Sequence, residues 1–516
     1  MEAAPALTHD ARALVFIGFM GAGKTSAARA VGAALGVRPV DSDHEVEARL
    51  GSSIEAYFER HGERAFREEE ERVVAELLER PPSRVLSLGG GATGSQRVRE
   101  LLARHTVVLC DVDAETAWRR CGGRRPLARD HERFVALHQD RQPLYESLAD
   151  AVLLDSGRET VRRAAAALDG LAGAPAGTKL LWATTASGDY PVHVGEGLLG
   201  SGFWPLAGRR FLVSDEHVGA LYAAALGGVA ADVRIAPGEA AKTLATAETV
   251  LRALAQGGMD QDDHVAALGG GVVGDLAGLC AALYQRGVPV VQVPTTLVAQ
   301  VDSAYGGKTA VDLPEGKNYA GAYHQPAAVL ADPGALATLP PEELAAGWAE
   351  VVKTALIAGG SLWARVRSDQ AGADRDTVLA CARTKLGVVA ADERDGGRRQ
   401  SLNLGHTVGH AIETATQYAR YRHGEAVGLG LLAALRLSAQ PELRDEVAEL
   451  LAGRGLPTRL DDDVERGAVI AAVGRDKKRR GGRVGFALVE APGDVRVGQP
   501  VAPGELAAAV AELGGR

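Results

Sequence analysis

Short apolar runs separated by longer, charged stretches set the character of the first third of the chain. Ala13–Ile17, Val85–Leu88, Thr106–Leu109 and Ala151–Leu154 are runs of strand length, and the segments between them repeat apolar residues at helical spacing. This alternation predicts βα units around a parallel sheet with helices on both faces, since buried parallel strands read as continuous apolar runs and amphipathic helices cover them. The pattern breaks at Asp169–Thr178 (DGLAGAPAGT), which is small, Gly/Ala/Pro-rich and flanked by a helical and a strand-like run. A linker is predicted at 170–178.

From Lys179 a second α/β pattern begins, with strands expected at Arg210–Val213, Val265–Leu268 and Val288–Gln292. Beyond Asp332 the chain turns to Ala/Leu/Glu/Arg stretches of helical period, which predicts a separate, mainly helical domain. The expected division is therefore 1–169, linker 170–178, 179–332 and 333–516, two α/β parts followed by a mainly helical one.

Composition narrows the function classes. At 516 residues the chain exceeds what one core sustains. With 46% hydrophobic and 24% charged residues it has the balance of a globular protein. Lys plus Arg (57) against Asp plus Glu (66) gives −9, and no single-sign block suggests a nucleic-acid surface. The cysteines Cys110, Cys121, Cys280 and Cys381 have no CxxC spacing, so neither a disulfide framework nor a thiolate zinc site is expected. The opening MEAAPALTHDAR lacks the layout of a signal peptide, and the apolar region Val265–Tyr284 is interrupted by Asp275 and glycines. A cytoplasmic protein without a membrane span is expected.

The first chemical signal is Gly18-Phe-Met-Gly-Ala-Gly-Lys24-Thr25, a GxxxxGKT loop between a strand and a helical run. In that context the backbone N–H groups of Gly21, Ala22 and Gly23 wrap phosphates at a helix N-terminus, Lys24 adds positive charge, and Thr25 offers its hydroxyl to Mg2+. Such a loop implies a nucleoside triphosphate without naming the acceptor. Asp41-Ser-Asp43 adds two carboxylates, one to organise magnesium and one to hold a hydroxyl. Phe66-Arg67, Gly89-Gly90-Gly91, Arg124-Arg125-Pro126-Leu127 and Arg141-Gln-Pro-Leu-Tyr145 add arginines and a glycine-lined edge.

In their order, the DSD, FR, LSLGGGA, RPL and RxPLY elements over residues 12–168 resemble the shikimate kinases. The resemblance implies that Lys24 and Thr25 hold ATP phosphates and Mg2+, with Asp41 beside them. It gives Asp43 the acceptor hydroxyl of shikimate, Arg67 and Arg141 its carboxylate, and Gly90 and Gly91 a close approach to its ring. Arg125, or its neighbour Arg124, becomes the lid arginine that reaches the transferring phosphoryl group.

Further on, Leu404-Gly405-His406-Thr-Val-Gly-His410 places two histidines on one helical face, and His423 follows in His-Gly-Glu425. Upstream, Glu350-Val-Val-Lys353 sets a carboxylate and an ammonium three apart on another helix. Glu350, His406 and His423 form the nitrogen–oxygen ligand set, with an open fourth position, of catalytic zinc, and cobalt suits the same ligands. His410 remains for acid–base work. Gly269-Gly-Gly271-Val-Val-Gly-Asp275, directly after the Val265–Leu268 strand, suits a pyrophosphate.

Residues 179–516, with Pro-Gly-Glu239, GGGVVGD, VPTTLVAQVDS, GGKTAV, GKN, AEVVK, DER, LNLGHTVGHAIE, HGEAVG and RDKK in order, resemble the 3-dehydroquinate synthases. Ala304-Tyr305 departs from the family pattern. The resemblance implies NAD+ contacts from Asp215, Glu239, Lys242, Gly270, Gly271, Val272, Val273, Asp275, Thr295 and Thr296. It places Asp302, Lys308, Lys317, Asn318, Lys353, Lys385, Arg399, Asn403 and His410 at the substrate, 3-deoxy-D-arabino-heptulosonate 7-phosphate. Arg286 is expected to reach the substrate phosphate of a neighbouring copy, hence a homodimer. Two readings compete: another sugar phosphate cyclase or an iron-type alcohol dehydrogenase in the C-terminal part, and a nucleotide-sensing module in the N-terminal part. Arg399, Asn403 and Lys308 favour a carboxylate-bearing substrate, and Asp43, Arg67 and Arg141 exceed what sensing needs.

Overall fold

The computed structural model describes residues 12–122, 130–368, 371–474 and 484–514, so Arg124, Arg125 and the RDKK segment 475–478 lie outside the described residues. The chain forms two compact units, Met1–Thr184 with Asp189–His193, and Thr185–Gly188 with Val194–Arg516.

In the first unit the predicted apolar runs become β1 (Leu14–Ile17), β3 (Val85–Ser87), β4 (Thr106–Cys110) and β5 (Ala151–Leu153), joined by the short β2 (Val40–Asp41), β6 (Lys179–Thr184) and β7 (Asp189–Val194). Their order is β2-β3-β1-β4-β5-β6-β7. The β2–β3, β3–β1, β1–β4, β4–β5 and β5–β6 pairs are parallel. Leu14, Phe16, Val108, Cys110 and Leu153 are buried together with Ala27 and Val31 of the helix Lys24–Leu35 and with Val161, Ala165 and Leu168 of the helix Arg158–Gly170. The β1 strand lies where the order turns from the β3 side to the β4 side, the position at which such sheets bind ligands beyond their strand ends.

The expected linker 170–178 needs correction. Gly170 closes a helix, Leu171–Gly173 form a 3-10 turn, and β6 begins at Lys179. Leu171, Leu180 and Trp182 are buried in the first unit's core. Three large apolar side chains therefore outweigh the small-residue composition that suggested a break, and the division by packing falls at the turn Thr185–Gly188.

The second unit begins as an α/β layer. Its strands β8 (Arg210–Asp215), β9 (Val229–Ile235), β10 (His264–Gly269), β11 (Val290–Pro294) and β14 (Ala328–Ala331) are ordered β14-β11-β10-β8-β9, all pairs parallel. The direction of winding reverses between β8 and β10, so the glycine turn that ends β10 stands at the switch point. Between β11 and β14 an antiparallel hairpin, β12 (Lys308–Leu313) and β13 (Gly316–Tyr323), projects Lys308, Lys317 and Asn318. The remainder is mainly helical as predicted, including Pro341–Ala358, Arg375–Ala391, His406–Ala415 and His423–Leu437. A hairpin of β15 (Phe486–Ala491) and β16 (Asp494–Gln499) interrupts the helices late in the chain. No helix among the described residues is long and apolar enough to cross a membrane.

Candidate active sites

The first site grows from the end of β1. Gly23, with φ of 88°, turns the loop into the helix Lys24–Leu35, a conformation that side chains resist. Lys24 is folded back onto the loop, its Nζ donating to the carbonyls of Gly18 (3.0 Å) and Phe19 (3.1 Å). Thr25 Oγ1 donates to Asp41 Oδ2 at 2.7 Å, and Asp41 Oδ1 caps the helix Ser42–Leu50 by accepting from Asp43 N at 3.0 Å. The Thr25–Asp41 pair offers adjacent oxygens of the kind a hard divalent cation takes. Beside the loop, a cleft of about 140 Å³ is lined by Asp111, Thr116, Arg120, Asp155 and Ser156. Arg120 spans it, 3.4 Å from the Gly21 carbonyl and 3.0 Å from Ser156 Oγ.

Across the strand ends, Gly89–Gly91 form the floor on which the acceptor residues meet. A Cβ on Gly89 would stand 2.5 Å from Asp43 Oδ1 and 2.9 Å from Glu70 Oε1, and one on Gly91 would overlap the Arg67 guanidinium. Tyr145 Oη and Arg141 Nη1 donate to the Gly90 carbonyl at 2.6 and 3.4 Å. Asp43, Arg67, Arg141, Gly90 and Gly91 thus meet around this floor.

Glu70 was missed. It is buried, 2.5 Å from Arg67 Nη1, and burial holds its carboxyl above the usual range despite Arg67 and Arg141 nearby. Its signal was available: Arg67 and Glu70 are three residues apart on the helix Ile54–Glu79.

In the second unit, Gly270 caps the helix Gly271–Leu283 that follows β10. A Cβ there would lie 2.9 Å from Thr296 Cγ2, so the turn needs glycine to pack against the Thr295-Thr296 strand end. Val273 is buried, and Thr295 Oγ1 is buried without a hydrogen-bond partner. Lys242 Nζ donates to Asp275 Oδ2 and to Asn318 Oδ1, both at 2.6 Å, and lies 3.9 Å from Glu239 Oε1. Asp215 instead caps the helix Glu216–Leu226, accepting from His217 N and Val218 N.

The helical layer supplies the metal-ligand candidates. Glu350 is 0% exposed, and its Oε1 has no hydrogen-bond partner. Its Oε1 stands 3.5 Å from His406 Nε2 and 3.4 Å from His423 Nε2, and its Oε2 lies 2.5 Å from Lys353 Nζ. Nitrogens of His406, His410 and His423 all fall within 4.8 Å of one another. A buried carboxylate whose Oε1 faces two imidazole nitrogens at 3.5 and 3.4 Å fits a divalent cation held among them, whose charge would offset the burial cost. The His406 ring is set by its Nδ1, 3.1 Å from the Leu404 carbonyl.

Next to this cluster, Asp302 sits in the π-helical turn Ala299–Ser303, a form often found at functional sites. Its carboxylate receives Lys353 Nζ at 2.8 Å and Lys385 Nζ, and its carbonyl accepts from Lys385 at 2.6 Å. Burial would raise the Asp302 carboxyl, but the two ammonium groups hold it well below the usual range. Lys385 is lowered by burial and by its neighbours Lys353 and Arg399. Arg399 is nearly enclosed, donating from Nη2 to Gly306 O at 2.9 Å and from Nη1 to Glu393 O. Lys308 is half exposed and 2.6 Å from Asp395. Asn403 ends the 3-10 turn that carries Arg399. Arg286 stands apart on an exposed turn at φ of 74°.

A second missed residue is Glu413, buried three positions beyond His410 on one helix. It stands 3.3 Å from His423 Nδ1 and 3.1 Å from Lys317 Nζ. Burial opposes its ionisation, but the bond to His423, that imidazole's charge and the nearby Lys317 bring it down to about 2. Lys317 also lies 3.7 Å from Glu239. Contacts of side chains therefore run without a break from Lys385 through Asp302, Lys353, Glu350, His423, Glu413, Lys317 and Glu239 to Lys242.

Known proteins match different stretches of the chain. Residues 20–170 match the family profile "Shikimate kinase", 232–346 match "3-dehydroquinate synthase N-terminal" and 347–479 match "3-dehydroquinate synthase C-terminal". The chain is 46% identical over 340 residues to a 3-dehydroquinate synthase of Halorhodospira halophila, covering 62% of this chain and 96% of the relative. It is 44% identical over 357 residues to that of Caulobacter vibrioides, covering 63% and 96%. Among solved structures, 2-epi-5-epi-valiolone synthase from Streptomyces hygroscopicus, with NAD+ and Zn2+ bound, matches at 29% identity and a TM-score of 0.57, covering 63% of this chain and 96% of that one. A 2-deoxy-scyllo-inosose synthase complexed with carbaglucose-6-phosphate, NAD+ and Co2+ matches at 25% identity and a TM-score of 0.58, covering 65% and 100%.

Proposed function

We propose how both sites work from one premise: the chain belongs to the 3-dehydroquinate synthase family and carries a shikimate kinase domain ahead of the synthase. It is a bifunctional shikimate-pathway enzyme. One part phosphorylates shikimate with ATP, and the other converts 3-deoxy-D-arabino-heptulosonate 7-phosphate to 3-dehydroquinate and phosphate.

For the kinase, ATP phosphates lie along the 18–25 loop and the nucleoside in the cleft lined by Arg120, Asp155 and Ser156. Thr25 and Asp41 hold Mg2+. Asp43 orients the shikimate hydroxyl, while Arg67 and Arg141 grip the carboxylate over Gly90 and Gly91. Glu70 holds the Arg67 guanidinium, because a pair at 2.5 Å sacrifices little rotational freedom when substrate arrives. Arg125 of the lid supplies charge at the transferring group.

For the synthase, Glu350, His406 and His423 hold a zinc or cobalt ion. NAD+ lies along Gly270–Val273, with Glu239, Lys242, Asp275, Thr295, Thr296 and Asp215 at its edge. When bound, the metal supplies electrophilic polarisation of a substrate hydroxyl and NAD+ a reversible hydride acceptor. The chain's own residues do the rest. Lys308, Lys317, Asn318, Lys385, Arg399 and Asn403 bind and orient an acyclic acid carrying a carboxylate and a phosphate. Asp302 keeps the Lys353 and Lys385 ammonium groups charged in a buried cleft until substrate anions take over. His410, whose ring centre is 5.3 Å from that of His406, takes and returns the proton. Arg286, exposed on its turn, reaches the site of a second copy, so the enzyme is a homodimer, and its buried free cysteines suit the cytoplasm.

The observation that carries the synthase reading is the enclosed Glu350 carboxylate facing the imidazoles. It is tested by stripping metal from the full chain with a chelator, then assaying phosphate release with NAD+, before and after adding Zn2+ or Co2+. Loss on stripping and recovery on addition are expected. Undiminished release from stripped, metal-free protein would overturn the assignment.

A further inference from the structure

A buried carboxylate with both oxygens engaged calls for an account. Glu413 is 1% exposed, and an ionised group so enclosed is retained only when its partners compensate for lost hydration. Its two oxygens point to different parts of the synthase site. Oε2 stands 3.3 Å from His423 Nδ1, and Oε1 accepts from Lys317 Nζ at 3.1 Å. His423 turns its other nitrogen, Nε2, toward Glu350 Oε1 at 3.4 Å.

An imidazole that coordinates through Nε2 must carry its proton on Nδ1, and an acceptor at Nδ1 fixes both tautomer and ring angle. His406 obtains this from a neutral carbonyl, that of Leu404 at 3.1 Å. His423 obtains it from a carboxylate, which makes its imidazole the more basic ligand. The second oxygen ties Lys317 to the same carboxylate, so one side chain holds both groups in place.

Resting on the metal reading above, we propose that Glu413 is a positioning residue of the synthase. It orients His423 toward the metal and links that ligand to the anion-binding Lys317. Metal affinity and the hold on the phosphorylated substrate then share one carboxylate.

The test uses the full chain, stripped of metal and titrated with Co2+, read by the visible absorption of the bound ion. Glu413→Gln keeps size but loses the charge, and is expected to raise the cobalt dissociation constant about 10–100-fold and change the absorption band. Glu413→Asp, which keeps charge at shorter reach, is expected to give about a tenfold loss and serves if the amide variant does not fold. Lys317→Met should leave cobalt affinity within about threefold while raising KM for the phosphorylated substrate. Cobalt affinity and spectrum unchanged in both Glu413 variants would overturn the proposal alone. A wild-type chain that binds no cobalt would remove the metal reading and the proposal together.

Discussion

Gly89→Ala is the sharpest test of the acceptor geometry in the kinase, because it adds one methyl group and removes no charge. Gly89 does not have a positive φ, so alanine meets no backbone strain there. The added Cβ would sit 2.5 Å from Asp43 Oδ1, whereas ordinary contact begins near 3.4 Å, so that oxygen must retreat by about 0.9 Å, the difference between the two. Glu70 Oε1, at 2.9 Å, blocks the alternative of shifting the methyl group instead. Displacement of a reacting group by about 1 Å costs about 100-fold in rate, which is about 2.7 kcal/mol of barrier. Measured by ADP release with shikimate as the varied substrate, kcat/KM should fall by about that factor, with KM for ATP nearly constant. Phosphate release by the synthase in the same preparation should be unaffected. A loss smaller than about threefold would refute the placement of Asp43 against Gly89.

Three further outcomes are expected. Burial holds Glu70 above its ordinary 4.5; as pH rises through that window the folded state keeps a proton the unfolded state has lost, so stability falls. Glu70→Gln should therefore raise the kinase unit's melting midpoint at pH 7, by an increment that shrinks toward pH 4.5, while KM for shikimate rises; a lowered midpoint would contradict this. Asp302→Ala leaves Lys353 and Lys385 buried without their shared carboxylate, and urea unfolding of the synthase should show a loss of about 3–5 kcal/mol. Because the Asp302 carboxyl is depressed, that difference should be full at neutral pH and fade as pH falls below 3.8. Finally, mixing inactive Arg286→Ala and His406→Ala chains should restore phosphate release, since the hybrid dimer contains one complete site; no recovery would place Arg286 in its own subunit's site.

Much of this was legible in sequence because the chemistry follows local periods. The P-loop, the glycine turn after β10 and the histidines at 406 and 410 are each set by one strand end or one helical turn. Glu70 and Glu413 lie at helical spacing from Arg67 and His410, but a carboxylate three residues from a cation is common on exposed helices, and the period alone does not show that it is buried. What could not be read was packing. Residues 170–178 have a linker's composition, yet Leu171 within them, and Leu180 and Trp182 just beyond, are buried in the first unit. Asp302 looked like one substrate contact among many, and only folding brings Lys353 and Lys385 onto it from separate helices. Nor did any periodicity announce that Arg399 would be enclosed by the carbonyls of Gly306 and Glu393.

The central claim, two independent sites with the synthase site built around an enclosed metal, is met most directly by His406→Ala assayed for both activities in one preparation. Phosphate release from the heptulosonate phosphate with NAD+ and metal should fall by about 1000-fold or more, as expected when several kcal/mol of metal assistance is lost. ATP-dependent phosphorylation of shikimate should be unchanged. Phosphate release at the wild-type rate would contradict the account.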